Sequence, residues 1–212
     1  SYSYCSPVYT APPVTYPPYG CNTAVNTTGV TDFTSAWEGC SISYMPCVDA
    51  SAVTDFSYAW DNCRYLTSFP YLNTSAGQNF TYTWGYTGLT SFPLLNTSQG
   101  SIFYNTWGGS YYLASFPELD FGSGIDFSYA WYSCYALASF PDIGFPLGQN
   151  FKGTWRYCES LTSFPPLDLS SGTYFYGTWK HCEALTSFSM VNVSNGTDFT
   201  DAWYNCHSLT SF

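Results

Sequence analysis

The chain has 212 residues and a net charge of −10; only 8% of its residues are charged, whereas 22% are aromatic. Four basic side chains cannot neutralise a phosphate backbone, which excludes a nucleic-acid binder, and the same shortage excludes binding to an anionic membrane surface. No apolar run approaches the ~20 residues that a transmembrane helix needs, so no membrane span is predicted. The aromatic content argues against disorder, and the chain is expected to fold.

The first 29 residues contain no repeat and are rich in Pro, Ser, Thr and Tyr. The Pro pairs at 12–13 and 17–18 favour an extended polyproline II arm, and the Ser, Thr and Pro content suits O-glycosylation. Cys5 and Cys21 could close this arm with a disulfide that contributes roughly 3 kcal/mol. Cys47 is the third cysteine outside the repeated positions, and since three thiols cannot all pair with one another, the one left over could bond a neighbouring chain.

From residue 30 to residue 212 the chain is an array of about eight repeats. A Trp recurs every 23 or 24 residues, a Phe precedes each Trp by four residues, and a second Phe follows all but the first Trp by nine residues. The Trp residues are Trp37, Trp60, Trp84, Trp107, Trp131, Trp155, Trp179 and Trp203. A unit of this length cannot bury its apolar side chains alone, so successive coils are expected to stack with their indoles in one core ladder.

Each part of the repeat has its own pattern. F-x-x-x-W-x-x-C places apolar residues at i, i+4 and i+7, which predicts a short helical turn, and the Asp or Asn that often precedes the Phe could cap it. L-T-S-F-P predicts a short strand that the Pro ends, and S-x-G predicts a reversal at which Gly accepts a positive φ. The expected fold is a repeat solenoid of about eight coils, each with a short strand and a short helical turn.

The stretch A-W-x-x-C-x-x-L, followed by a short strand and Pro, resembles the BspA-like leucine-rich repeat, which has Phe where this chain has Trp. The residues that carry the resemblance are Ala130, Trp131, Cys134, Leu137, Phe140 and Pro141. A similar surface-protein repeat with Met-Phe before x-x-C is matched by Phe116, Pro117, Leu119 and Asp120. The resemblance covers about residues 30 to 212. It implies a leucine-rich-repeat-like stack in an extracellular surface protein that serves adhesion or assembly, without catalysis.

Two repeated positions carry groups that could bind a metal or form disulfides. Cys lies three residues after Trp in six repeats, and Thr or Ser takes its place in the other two, so buried thiols are favoured over a disulfide or metal ladder. Asp or Asn recurs near the end of the unit. Side chains that hydrogen-bond to their own backbone in a turn are favoured there over a calcium site. No cofactor is expected. The cysteines are Cys40, Cys63, Cys134, Cys158, Cys182 and Cys206, and the Asp and Asn residues are Asp49, Asn73, Asn96, Asp120, Asp168 and Asn192.

The remaining aromatic and histidine residues raise the question of a binding or catalytic surface. The Trp ladder could be a sugar-stacking platform, but its periodicity favours a core. Tyr residues fill variable positions that are expected outside, where they suit carbohydrate contact or lateral association. They are Tyr58, Tyr82, Tyr86, Tyr104, Tyr129, Tyr132, Tyr157 and Tyr204. His181 and His207 lie beside repeated cysteines without a catalytic motif, so no enzyme is expected.

Six N-x-S/T sequons are present in the chain. Together with nine Cys residues and the low charge, they favour a secreted or surface-displayed glycoprotein. The candidate N-glycosylation sites are Asn26, Asn73, Asn79, Asn96, Asn192 and Asn195.

The sequence stops inside a repeat, at Leu209 to Phe212, without a polar cap. Either the chain continues, or another copy covers Leu209 and Phe212 with its first coil or its N-terminal arm. A head-to-tail contact of the second kind that does not close into a ring makes a filament. The sequence therefore predicts a glycosylated filament subunit whose partners are copies of itself. The alternative is a cell-surface adhesin or viral receptor-binding fibre that recognises glycans or host proteins.

Overall fold

The computed structural model describes residues 26–45, 48–188 and 191–211. These residues contain two strands, β1 (Ser163–Phe164) and β2 (Ser187–Phe188), which form a parallel two-stranded sheet with Ser163 opposite Ser187. They contain no helix. The expected leucine-rich-repeat-like solenoid, with a helical turn and a strand in every coil, is therefore wrong. None of the described segments forms a helix with the length and apolarity that crossing a bilayer requires.

Backbone hydrogen bonds between equivalent residues hold successive repeats side by side. Isolated parallel bridges join Asp32 to Asp55, Asp55 to Asn79, and so on at the same position as far as Tyr174 and Asp198. Beside the first bridge, the amide of Phe33 donates to the carbonyl of Asp55 over 2.8 Å. Because each bridge spans one sequence repeat, the repeats lie in register along the stack.

A left-handed residue on each side of every Trp explains why no helix forms. The residues two before and two after the Trp have positive φ in all eight repeats; in the first they are Ser35, at 54°, and Gly39, at 69°. Such a backbone cannot continue a right-handed helix. The amide of Trp37 accordingly donates to the carbonyl of Ala59 in the next repeat, at 2.8 Å, rather than to the carbonyl of Phe33.

The segment that the sequence pattern predicts as a helical turn consists of consecutive tight turns. The amide of Ala36 donates to the carbonyl of Phe33, and the amide of Cys40 donates to that of Trp37, both at 3.0 Å. Between these turn bonds, alternate amides point to the next repeat. This arrangement still turns Phe33, Trp37 and Cys40 into the core, which is why their spacing resembles that of a helix face.

The glycine of the S-x-G segment serves close packing rather than a positive φ. Gly124 is absent from the positive-φ conformations, so the sequence-based reason for it is wrong. A Cβ added to Gly124 would overlap the ring of Phe127. The glycine is required because the Phe three residues later folds back onto its Cα.

Aromatic rings stacked from repeat to repeat form the core. Seven indoles, from Trp37 to Trp179, are buried, and Trp203 is partly buried. Successive indoles have centroids 5.2–5.9 Å apart and planes within 13° of parallel. The second Phe packs across two of them in the repeats from Phe69 to Phe188, as Phe140 does at 4.9 Å from Trp131 and 5.2 Å from Trp155. Each buried aromatic side chain contributes roughly 1.5–3 kcal/mol of hydrophobic free energy.

Candidate functional site

The repeated cysteines hydrogen-bond to the carbonyl of a Trp in the preceding repeat. Cys63 Sγ donates to the carbonyl of Trp37 at 3.0 Å, and Ser110 Oγ does the same to the carbonyl of Trp84 at 3.0 Å. This bond explains why Ser110 can replace the thiol, whereas Thr87 Oγ1 donates to the carbonyl of Trp84 in its own repeat at 3.1 Å. Among the cysteines that the structure describes, the free thiols are those of Cys63, Cys134, Cys158, Cys182 and Cys206. Cys40 is disulfide-bonded, so the expectation of a free thiol at this position is wrong.

Burial makes these thiols poor nucleophiles. Desolvation raises the pKa of Cys63 to about 12 and holds the pKa of Cys182 well above its usual range. His181, next to Cys182, instead stacks on Tyr157 with ring centroids 4.5 Å apart. Neither His181 nor His207 hydrogen-bonds to a cysteine within the described segments. The histidines and thiols are thus not arranged as a catalytic pair.

The indole N–H groups of the core are largely without acceptors. Trp60 Nε1 donates to Met45 Sδ at 2.8 Å, but five buried Nε1 atoms have no hydrogen-bond partner among the described residues. They belong to Trp84, Trp107, Trp131, Trp155 and Trp179. These indoles are covered on both faces by other rings, so they cannot act as a platform for an external sugar.

The Asp and Asn residues near the end of the unit bond their own backbone. Asp49 Oδ1 accepts the amide of Ser51 at 3.0 Å, and Asn96 Oδ1 accepts that of Ser98 at 3.1 Å. The same i to i+2 bond occurs at Asn73, Asp120, Asp168 and Asn192. No group of three His, Cys, Asp or Glu side chains within the described segments could hold a metal ion.

A continuous row of tyrosines covers one side of the stack. Tyr58 and Tyr82 stack with centroids 5.0 Å apart, and Tyr82 meets Tyr104 edge-on at 5.4 Å. A groove of about 320 Å³ opens here, and we call this side the tyrosine face. The groove is lined by Tyr82, Tyr86, Tyr104, Asn105, Tyr129, Tyr132 and Arg156. Burial and the neighbouring Tyr82 raise the pKa of Tyr104 to about 12, so its hydroxyl stays protonated.

A second groove of about 370 Å³ lies toward the end of the stack. It is lined by Asn150, Lys152, Tyr174, Tyr176 and Asp198. Lys152 Nζ lies 5.8 Å and 5.5 Å from the ring centroids of Tyr129 and Tyr176, so this groove adjoins the tyrosine face.

Charge is distributed unevenly along the position that directly follows each Trp. From the first to the eighth repeat, this position holds Glu38, Asp61, Gly85, Gly108, Tyr132, Arg156, Lys180 and Tyr204. Acidic residues thus occupy the first two repeats and basic residues the sixth and seventh. This gradient was not among the predicted features, although it is visible in the sequence once the repeats are aligned on their Trp residues.

Two charged side chains of this row each have a polar atom without a hydrogen-bond partner among the described residues. Asp61 is half-buried, its Oδ1 has no hydrogen-bond partner among the described residues, and burial with the nearby Glu38 carboxylate raises its pKa to about 6. Arg156 donates from Nη2 to Tyr157 Oη at 3.3 Å, while its buried Nε has no described acceptor. Lys180, by contrast, forms an ion pair with Asp201 at 2.6 Å.

The last described repeat is covered less well than the others. Phe199, Trp203 and Leu209 are only partly buried, whereas the equivalent Phe175 and Trp179 have no exposed surface. The pattern of amides that donate to the next repeat stops here. The amides without an acceptor among the described residues are those of Phe199, Asp201 and Asn205. We call the surface formed by these amides and by the side chains of Phe199, Trp203 and Leu209 the open end.

The first described repeat has the matching acceptors. The carbonyls of Asp32, Thr34 and Glu38 receive no hydrogen bond from the described residues, and these three residues are exposed. The side chains of Phe33 and Trp37 are nevertheless buried. What this repeat leaves accessible is therefore its backbone edge rather than its rings.

The candidate glycosylation sites differ in accessibility. Asn73, Asn96, Asn192 and Asn195 are exposed, whereas Asn26 and Asn79 are partly buried. Asn79 Nδ2 donates to Asp55 Oδ2 at 3.2 Å, and Asn195 Nδ2 donates to the carbonyl of Ser170 at 2.7 Å. A glycan on either nitrogen would compete with the bond, and the same holds for Asn192, whose side chain hydrogen-bonds to Asp168. Asn73 and Asn96 are therefore the least hindered glycosylation sites.

Several predicted site residues lie outside the described residues. They are Cys5, Cys21, Cys47 and Phe212, together with residues 1–25 of the N-terminal arm.

Comparison with known proteins found no matching family model, curated protein or solved structure. The resemblance to BspA-like repeats therefore stays a prediction, and the geometry of the open end and of the tyrosine face is the basis for proposing a function.

Proposed function

We propose that this chain is an extracellular, glycosylated structural subunit that assembles head to tail into a filament. The observation that carries the proposal is the open end, where the partly buried Phe199, Trp203 and Leu209 lie beside amides that have no described acceptor. Exposed apolar side chains and unpaired backbone donors form a surface that binds another chain by continuing the backbone pairing.

The interior of the stack suggests how two copies would join. Within one chain, the amides of Phe33 and Ser35 donate to the carbonyls of Asp55 and Ser57 in the next repeat. Continued across a junction, this pattern pairs the amides of Phe199, Asp201 and Asn205 with the carbonyls of Asp32, Thr34 and Glu38 in a second copy. Each such bond contributes about 0.5–1.5 kcal/mol. Because the two surfaces differ, the contact is heterologous, and it produces a filament when successive copies do not close into a ring.

The first repeat offers its backbone edge but not its buried rings, so the N-terminal arm of a second copy is the other candidate to cover the apolar part of the open end. Deletion of residues 1–21 distinguishes the two. Loss of assembly with the stack still folded assigns the contact to the arm, and unchanged assembly assigns it to the first repeat.

Electron microscopy of negatively stained protein, with sedimentation velocity over a range of concentrations, tests the proposal. The unmodified chain is expected to form fibres whose length grows with concentration. Leu209→Glu places a charge in the open end and is expected to abolish fibres. His207→Glu introduces the same side chain at an exposed neighbouring position and serves as the control. Monodisperse monomers at every concentration, with and without deglycosylation, would refute the proposal.

The tyrosine face favours a second candidate, a cell-surface adhesin or viral receptor-binding fibre. A groove lined by five Tyr rings with Asn105 and Arg156 offers stacking surfaces and polar groups of the kind that sugars bind. Binding to a glycan array that is lost in Tyr104→Ala but retained in Tyr112→Ala would support this function. Tyr112 is exposed and lines neither groove. Absence of binding to glycans and to cell surfaces would exclude it.

A further inference from the structure

The charges that follow the Trp residues are arranged so that two copies of the chain, but not one, can pair them. Asp61 lies in the second repeat and Arg156 in the sixth. At roughly 4.8 Å per repeat they are roughly 19 Å apart in one molecule, too far for an ion pair. Both side chains are only partly buried, and neither forms an ion pair among the described residues.

Both residues belong to the tyrosine face. Arg156 lines its groove together with Tyr82 from the third repeat and Tyr132 from the fifth. Asp61 Oδ1 lies against Gly85 in the third repeat, where an added Cβ would come within 2.6 Å of it. The face therefore extends from the second to the sixth repeat, with an acid at one end and a base at the other.

We propose that the tyrosine face binds the same face of a second copy in antiparallel orientation, with Asp61 of each copy opposite Arg156 of the other. A two-fold axis through the fourth repeat creates both pairs at once, because that repeat lies midway between the second and the sixth. This is an isologous contact, in which one patch serves as both halves of the interface.

The row carries no other ionised side chain between Asp61 and Arg156. It holds Gly85 and Gly108, which are buried beneath the side chains of Asp61 and Asn105, and the uncharged Tyr132. No further charge of this row therefore opposes the two pairs. Glu38 of the first repeat faces Lys180 of the seventh. This outer pair contributes less, because Lys180 is already paired with Asp201.

The side-by-side contact is separate from the end-to-end contact proposed above, and either can exist without the other. With both, the filament would contain two antiparallel strands. The test is therefore made in the Leu209→Glu background, where the open end is blocked. Failure of lateral pairing there leaves the head-to-tail proposal untouched.

The experiment compares two charge reversals, Asp61→Arg and Arg156→Asp, by sedimentation equilibrium and native mass spectrometry. Each variant alone brings like charges together twice in a homodimer and is expected to weaken dimerisation about tenfold or more. Mixing the two variants brings opposite charges together at both positions, so a heterodimer is expected with an affinity within about threefold of the parent. Asp142→Arg and Arg64→Asp make the same charge changes on exposed residues that line neither groove and are expected to leave dimerisation unchanged.

The mixture decides the question because a general effect of net charge would not restore binding in it. A parent that remains monomeric at about 100 µM, a concentration at which even a weak specific contact is populated, would overturn the proposal. Reversals without effect, or a mixture no tighter than either variant alone, would do the same. A monomer that binds glycans through the groove would assign the face to the adhesin function. If a reversal fails to fold, Asp61→Asn and Arg156→Gln are used, with a smaller loss expected for each.

Discussion

Replacing Trp131 with Ala is expected to be among the most damaging single changes to this chain. The indole has no exposed surface, and it stacks on Trp107 at 5.2 Å and on Trp155 at 5.8 Å. Phe140 packs against it edge-on at 4.9 Å. Truncation of a buried Trp costs about 3–5 kcal/mol, and each lost aromatic pair adds about 0.5–1.5 kcal/mol. With three such pairs lost, the expected loss is about 5–9 kcal/mol.

Two matched variants make this prediction specific. Trp203→Ala, at the partly buried end of the stack, is expected to cost about 1–2 kcal/mol, because less surface leaves water when this ring packs. Trp131→Phe keeps a ring and removes a buried N–H that has no described acceptor. It is therefore expected to cost only about 1–2 kcal/mol, since the relieved desolvation penalty offsets part of the lost contact.

Urea unfolding followed by far-ultraviolet circular dichroism measures the free energies, and hydrogen exchange locates the loss, since repeat arrays open locally. Protection is expected to fall most at the repeats on either side of Trp131. Equal destabilisation by Trp131→Ala and Trp203→Ala would refute the idea that a continuous stack of indoles holds the repeats together.

Three further outcomes are expected from the local geometry. Asp61 has a folded-state pKa of about 6, raised by burial and Glu38 from 3.8, so the folded state loses stability as pH rises from about 4 to 6. Asp61→Asn should therefore raise the melting temperature at pH 7.5, with a gain of about 1 kcal/mol in the free energy of unfolding after allowance for solvent screening. At pH 4 the same substitution should leave the melting temperature unchanged. Gly124→Ala should cost about 1–3 kcal/mol in urea unfolding by displacing Phe127, and an unchanged midpoint would contradict the packing argument. Cys134→Ser should change the unfolding midpoint little, since a hydroxyl can donate the same bond, whereas Cys134→Val should lose about 1 kcal/mol.

The repeat and its apolar positions could be predicted from the sequence because burial depends on spacing. A Trp every 23 or 24 residues returns to the same side of each coil, and stacking the coils buries rings that one unit could not cover by itself. Likewise, i to i+2 bonding by residues such as Asp49 and Asn96 is a local property of Asp and Asn in turns.

The conformation of the unit could not be predicted in the same way. The pattern F-x-x-x-W-x-x-C fits a helix face, yet it also fits two tight turns separated by left-handed residues. Those residues include Tyr58 and Tyr157, with φ of 57° and 64°. A tyrosine in the sequence does not indicate a left-handed conformation, whereas a glycine often does. Amides that bond across repeats outweigh the local cost, which is why only the stacked structure reveals the choice.

For the two candidate interfaces, too, some features could be predicted from the sequence and others required the structure. The sequence by itself determined the repeat period, the aromatic core positions and the order of charges from Glu38 to Lys180, because all three depend only on which residue types occur and how far apart they are along the chain. Only the tertiary structure decided that Asp61 and Arg156 belong to one tyrosine face, and that the amides of Phe199, Asp201 and Asn205 have no acceptor among the described residues. The physical reason is that the direction of a side chain or an amide depends on backbone angles, and here neighbouring repeats select those angles.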